Sequence, residues 1–90
     1  MSYQSNISTN EFLSLIYTKM NFLIDNILDN NNREKNISKL INIFYELQKE
    51  TKDTNLIQVY NNNMIYLLSR ENKNINKVKK FIEISLSEKL

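Results

Sequence analysis

The chain of 90 residues carries 12 Lys and Arg against 10 Asp and Glu, for a net charge of +2, and 41% of it is apolar. It contains no cysteine and no histidine, which excludes disulfides, thiol catalysis, imidazole acid–base chemistry and metal sites built on those residues. It also contains no glycine, which excludes a glycine-rich phosphate-binding loop. The length fits one domain, which we predict to cover residues 9–90 after a flexible lead-in of residues 1–8.

The composition favours helices over strands. Strand-rich folds use Gly, Pro and Asn-Gly pairs for their tight turns, and this chain has none of these. No run of 18 apolar residues is present, so no membrane-spanning helix is expected. Residues 1–6 have neither a basic region nor an apolar signal core, and the expected location is therefore the cytoplasm.

The first predicted helix spans residues 9–29. Ser8 and Glu11 stand three residues apart and fit a capping box at its start. Spacings of three and four place one apolar stripe on this helix, consisting of Leu13, Ile16, Tyr17, Met20, Leu23, Ile24, Ile27 and Leu28. Phe12, Leu15 and Phe22 lie off that stripe, so the helix carries more apolar surface than one seam needs.

Three further helices are predicted over residues 33–51, 55–70 and 75–89. Their inward residues are Ile37, Leu40, Ile41, Phe44 and Leu47, then Leu56, Ile57, Tyr60, Met64, Leu67 and Leu68, and finally Ile75, Val78, Phe81, Ile82 and Leu86. Asp53 or Thr54 can cap the third helix, which we expect to continue through its asparagine triplet. Short polar loops, the last over residues 71–74, make successive helices antiparallel. The predicted fold is all-α, an antiparallel up-down-up-down four-helix bundle.

The polar residues do not suggest catalysis. The pairs Asp25–Asp29 and Glu46–Glu50 each share a helix face, but both faces are polar, and we interpret them as surface charges. Lysines between Lys73 and Lys80 are interpreted as a solvated helix face, and contact with an acidic partner stays open. We therefore expect no enzyme, no cofactor, no metal site and no nucleic-acid partner.

The surplus apolar residues indicate a protein interaction site. Soluble proteins rarely expose large apolar patches without function. Tyr17, Tyr60 and Tyr66 are expected at the edge of the core with their hydroxyl groups in water, and Met64 lies among them on the third helix. Tyr and Met side chains together can line a groove for a partner's amphipathic helix.

Three stretches resemble the flagellar secretion chaperones of the FliS family. The first is Tyr3-Gln4 followed by residues 7–17, which is similar to the family's N-terminal Tyr-Gln, Ser/Thr–Pro–Glu and Leu-Tyr elements. The second covers residues 31–47, where Ile-x-Lys and Ile-x-x-Glu-Leu spacings resemble the family's loop and second core helix. The third is Val59-Tyr60 with Leu67 and Leu68, followed by residues 72–78.

The resemblance implies a cytoplasmic chaperone that binds the disordered C-terminal segment of flagellin, prevents early polymerisation and aids export. It further implies that Tyr3 and Ile7 pack over part of the binding groove when no client is bound. The predicted partner-binding residues are Tyr3, Ile7, Phe12, Leu15, Tyr17, Phe22, Tyr60, Met64 and Tyr66. The partner is expected to be flagellin or another amphipathic helix, bound by a monomer or weak dimer.

Two other classes of protein remain open from the sequence. Bacteriocin immunity proteins are also small antiparallel four-helix bundles, and the resemblance to them is architectural. A small phage- or plasmid-encoded inhibitor of a larger protein is the second class. A helical DNA-binding module is disfavoured by the net charge of +2.

Overall fold

A computed structural model describes residues 9–89, which form four helices. These are α1 (Thr9–Leu28), α2 (Arg33–Glu50), α3 (Thr54–Ser69) and α4 (Asn72–Lys89). The all-α prediction is confirmed, and the first three helices begin within one residue of the predicted positions. The lead-in of residues 1–8, including the cap proposed at Ser8, lies outside the described residues.

The helices form a four-sided bundle. α1 and α3 each pack against both α2 and α4, so α1 and α3 occupy opposite corners. Glu34 near the start of α2 accepts a bond from Arg70, just beyond the end of α3, at 2.7 Å. Gln48 in the last turn of α2 instead reaches back to Asn61 in the middle of α3. The start of α2 therefore lies beside the end of α3, and the last turn of α2 lies beside the middle of α3, so the two helices are antiparallel.

The connections are made without glycine. Asn30, Asn32 and Arg70 all take positive φ, at 61°, 47° and 60°, and Asn is among the few other residues that tolerate this region. The Arg33 guanidinium donates to two carbonyl oxygens, that of Ile27 at 2.9 Å and that of Arg70 at 2.6 Å. One cation therefore satisfies carbonyl groups at the C-terminal ends of both α1 and α3.

The last helix begins three residues earlier than predicted, so the predicted loop of residues 71–74 is wrong. The Glu71 carbonyl oxygen accepts bonds from the backbone N–H groups of Asn74 and Ile75, both at 2.9 Å, which starts the helix. The Ser69 hydroxyl oxygen accepts from the Asn74 side chain at 3.0 Å. A two-residue connection suffices here because its first residue adopts the left-handed conformation.

The third helix begins and continues as predicted. The Asp53 carboxylate accepts bonds from the N–H groups of Asn55 at 2.9 Å and Leu56 at 3.3 Å, and so caps α3. The helix is unbroken across its asparagine triplet. Asn63 of that triplet is buried, and its side-chain amide donates to the Val59 carbonyl oxygen at 2.9 Å, which satisfies part of its hydrogen-bonding capacity.

The core draws apolar side chains from every helix. Its buried members are Tyr17, Met20, Leu23, Ile24, Ile27, Ile37, Leu40, Phe44, Tyr60, Leu67, Ile75, Val78 and Ile82. The prediction that Leu68 points inward is wrong, because its side chain is 56% exposed. Leu67 takes the inward position, and the next residue lies about 100° further around the helix.

Candidate partner-binding surface

One aromatic ring from each helix meets in a layer across the bundle. The ring centroids of Tyr17 and Phe81 are 6.1 Å apart, those of Phe44 and Tyr60 5.8 Å apart, and those of Tyr60 and Phe81 6.2 Å apart. The two pairs involving Phe81 and a tyrosine are close to perpendicular, an arrangement that aromatic rings favour. This aromatic layer joins all four helices at one level.

The two tyrosines of the layer lie inside the core and not at its edge. Tyr17 and Tyr60 are only 3% and 2% exposed, and their hydroxyl oxygens lie 2.8 Å apart in a buried hydrogen bond. The expectation that these hydroxyl groups face water is therefore wrong. Each phenol can be buried because its hydroxyl group forms a hydrogen bond with the hydroxyl group of the other. Burial, reinforced by the bond to Tyr17, raises the pKa of Tyr60 well above its ordinary value of 10.0.

Met64 and Tyr66 are half-buried on α3. Met64 packs against the core, while the Tyr66 ring lies beneath the Lys77 ammonium group of α4 at 5.1 Å. Tyr66 thus faces α4 and stands apart from the exposed residues of α1. The predicted Tyr and Met residues therefore do not line a single groove. Two other predicted partner-binding residues, Tyr3 and Ile7, lie outside the described residues.

The off-stripe residues of α1 are exposed, as the sequence pattern predicts. Phe12, Leu15 and Phe22 are 53%, 64% and 67% exposed. They span about 15 Å along the helix, and of the three only Phe12 lies in a groove shared with α2. We call these three residues the α1 strip. Three large apolar side chains left in water on one helix side are the pattern that marks interaction surfaces in soluble proteins.

A groove of about 470 Å³ opens beside the strip at the end of the bundle where α1 and α3 begin and α2 ends. We call it the end groove. Its apolar walls are Phe12, Leu13, Ile16, Ile43, Leu47, Leu56 and Tyr60, and its polar residues are Thr9, Glu46, Glu50, Thr51 and Lys52. Phe12 belongs to both features, so the strip leads directly into the groove. The size and apolar lining suit side chains of a bound segment.

The α2 wall of the groove was missed by the sequence prediction. Ile43 lies off the apolar stripe of its helix, yet it is half-buried against the core. Its position out of phase with Leu40 and Phe44 was the available signal. The same signal singled out Leu15 and Phe22 on α1, where the prediction did use it.

The polar faces of the bundle carry surface ion pairs. Lys79 binds Asp25 of α1 and lies 3.6 Å from Glu83 on its own helix. The hydrogen bond to Asp25 is the main cause that raises the pKa of Lys79 above its ordinary value. Lys73 and Lys80 line a shallow depression on α4 and are exposed. This arrangement is a solvated helix face, and exposed pairs of this kind contribute little stability.

Over residues 9–89, no group of three or more acidic side chains is placed to hold a metal ion. Within the same range, every helix is too short or too polar to cross a membrane. No protein-family model, curated protein or solved structure matches the chain.

Proposed function

We propose that this chain is a non-enzymatic cytoplasmic chaperone that holds the C-terminal segment of flagellin before export. The observation that carries the proposal is the α1 strip, which leaves Phe12, Leu15 and Phe22 in water beside an apolar groove. The resemblance of the sequence to flagellar secretion chaperones supplies the identity of the client.

The strip and groove suit a helix whose apolar residues recur every three or four positions. Such a helix places a row of side chains on one face, and the row fits a hydrophobic groove between two helices. Full burial of a large apolar side chain contributes about 1.5–3 kcal/mol. Three such residues on the chaperone, with their counterparts on the client, supply enough to order a disordered segment, which costs about 2–5 kcal/mol. We expect micromolar affinity, because the ordering of the segment and the loss of its free motion offset much of the gain from burial.

The N-terminal segment is proposed to bind the same groove when no client is present. Thr9, the first described residue, lines the end groove. The segment that carries Tyr3 and Ile7 is joined directly to it. These two side chains are of the apolar and aromatic kinds that the groove walls accept, and a client would displace them.

Titration with a peptide from the C-terminus of flagellin of the same organism tests the proposal. Calorimetry should show binding at micromolar concentration or below, and circular dichroism should show a gain of helix when the peptide is added. Serine substitution of Leu15 should weaken that binding. A well-folded protein that does not bind the peptide would overturn the proposal and favour an immunity or other inhibitor role.

A further inference from the structure

Charged side chains are segregated along the seam between α1 and α2. At the end groove, Glu46 and Glu50 are one turn apart on the same face of α2. Lys52 lies among the same groove residues, but the C-terminal end of α2 adds its own partial negative charge there. Glu46 pairs with the exposed Lys49 at 3.2 Å, and among the described residues Glu50 forms no ion pair. Because Glu46 already has a lysine partner, Glu50 and the C-terminal end of α2 are the groups at this end that can attract a further cation.

Two lysines occupy the seam further along. The groove brings Ile16 of α1 together with Ile43 of α2. Lys19 is one turn beyond Ile16, and Lys39 is one turn before Ile43, so the antiparallel register sets the two lysines at one level. Both are exposed, and in the described part of the chain neither forms an ion pair. Two unpaired like charges at one level attract an anionic group.

Apolar residues of the end groove connect the two charged regions. On α2, Ile43 lies between Glu46 and Lys39, and Ile16 of α1 lies beside Ile43. Lys39 and Glu46 are seven residues apart on α2, which is about 10 Å, or two helical turns. A bound helix therefore meets acidic groups at one end, apolar groups between, and basic groups two turns away.

We infer that the segment bound by this surface is an amphipathic helix with segregated charges. Its basic residues lie over Glu46 and Glu50, and its acidic residues lie about two turns away over Lys19 and Lys39. This inference rests on the proposed function and specifies the chemistry of the client. Charge segregation also fixes the direction of the client, because the reversed helix would place like charges together at both ends.

Two designed peptides of about 18 residues, roughly 27 Å as helix, test the inference. Both have the same apolar face. The first carries glutamates in its N-terminal third and lysines in its C-terminal third, an arrangement that also stabilises a helix, and the second has these charges exchanged with the apolar residues fixed. Each of these two peptides can dock with its lysines over Glu46 and Glu50, but the two must then lie in opposite directions. A label at the N-terminus of each peptide, which quenches the fluorescence of the protein near the place where it binds, reports that direction. A third peptide with alternating Lys and Glu has the same composition but no segregation.

Each peptide is titrated against the wild-type protein, the Glu46→Lys, Glu50→Lys variant and a Glu71→Lys, Glu88→Lys control with the same net charge. We expect both segregated peptides to bind the wild type about tenfold tighter than the alternating peptide, from several pairs of modest strength. Their labels should lie at opposite ends of the seam. The advantage should disappear in the Glu46→Lys, Glu50→Lys variant, persist in the control, and shrink at high salt.

The outcomes separate the inference from the function on which it rests. Equal binding of all three peptides would overturn the charge inference and leave the apolar docking surface standing. Absence of binding by all three peptides would overturn the inference, and the flagellin titration then decides the proposed function independently. Persistence of the advantage in the Glu46→Lys, Glu50→Lys variant would show that these carboxylates are not the groups that recognise the client.

Discussion

The hydroxyl oxygens of Tyr17 and Tyr60 lie 2.8 Å apart although the helices that carry them do not pack directly against each other. The bond spans the interior between α1 and α3. It is enclosed by Phe44 and Phe81, whose rings lie 5.8–6.2 Å from the tyrosine rings with which they pair. Opposite corners of the bundle are thus connected through a polar bond within an aromatic layer.

A double-mutant cycle should detect this bond. Tyr17→Phe or Tyr60→Phe alone should lower the free energy of unfolding by about 1 kcal/mol or more, because each leaves one buried hydroxyl without its partner. The double substitution should cost about as much as one single substitution, since no unpaired hydroxyl remains. Urea denaturation of the four proteins measures the coupling. Strictly additive losses would contradict a direct bond.

Stability should fall at high pH because Tyr60 resists ionisation in the bundle. In the unfolded chain this phenol ionises near its ordinary pKa of 10.0, while in the folded protein its pKa is raised by burial and by the bond to Tyr17. Below pH 10 the phenol keeps its proton in both states, so the stability that Tyr60 contributes is fully present. Above it, the unfolded state releases a proton that the folded state retains, so the free energy of unfolding decreases by at most about 1.4 kcal/mol per pH unit.

The Tyr60→Phe protein serves as the reference for this pH dependence. The two proteins differ only in the Tyr60 hydroxyl, so the difference between the two curves reports the removal of that phenol. Denaturation at pH 8–11 should show the wild type losing stability relative to the variant above pH 10. Parallel curves throughout would show that the Tyr60 pKa is the same in the folded and unfolded states.

Substitutions in the α1 strip should separate binding from stability. Leu15→Ser and Phe22→Ser remove exposed side chains, so each should change the free energy of unfolding by only about 0.5 kcal/mol. Binding of the flagellin peptide should weaken about tenfold or more, because these residues become buried against the client. Ile65→Ser is the matched control, since Ile65 is 61% exposed on α3. An equal effect of the control on binding would contradict a site at the strip.

Arg33 should be important for stability despite lying outside the core. Its guanidinium donates to the carbonyl oxygens of Ile27 and Arg70. Arg33→Met keeps much of the side-chain volume but removes both bonds, and should cost about 1–3 kcal/mol, or at least 4 °C in Tm. Lys35→Met, at an exposed position two residues further on, should have little effect. Thermal denaturation followed by circular dichroism compares the two.

Deletion of residues 1–7 should leave the fold intact and alter client affinity. The described bundle begins at Thr9, so the helices and their core remain. If the segment carrying Tyr3 and Ile7 competes with the client for the end groove, its removal should tighten binding, because a competing occupant lowers apparent affinity. Calorimetry with the flagellin peptide measures the change. Unchanged affinity would remove the competing role of this segment.

Sequence patterns predict the fold well because each helix carries a 3.6-residue apolar period and each connection is polar. They fail at the α3–α4 connection because its shortness depends on Arg70 adopting a conformation that few residues other than glycine accept. A pattern of residue types does not reveal that Arg70 does so. The predicted inward position of Leu68 is wrong for a different reason. Leu67 faces the core, and Leu68 lies about 100° further around α3.

The candidate surface is predicted in part. The exposure of Phe12, Leu15 and Phe22 follows from their phase on α1, which is a local property. The burial of Tyr17 and Tyr60 depends on two residues 43 positions apart meeting in space, and no local pattern contains that information. The sequence therefore predicts these tyrosines at the edge of the core, whereas in the structure their two hydroxyl groups bind each other inside it.

The aromatic layer gives the protein an intrinsic spectroscopic signal for binding. The chain contains no tryptophan and five tyrosines, so its near-ultraviolet circular dichroism arises chiefly from tyrosine rings held in fixed, asymmetric surroundings. Tyr60 belongs to the layer and also lines the end groove. A ligand that enters the groove meets a ring coupled to three others. Client binding should therefore change this spectrum without any attached label, and helix gain and ring environment can be followed in one titration.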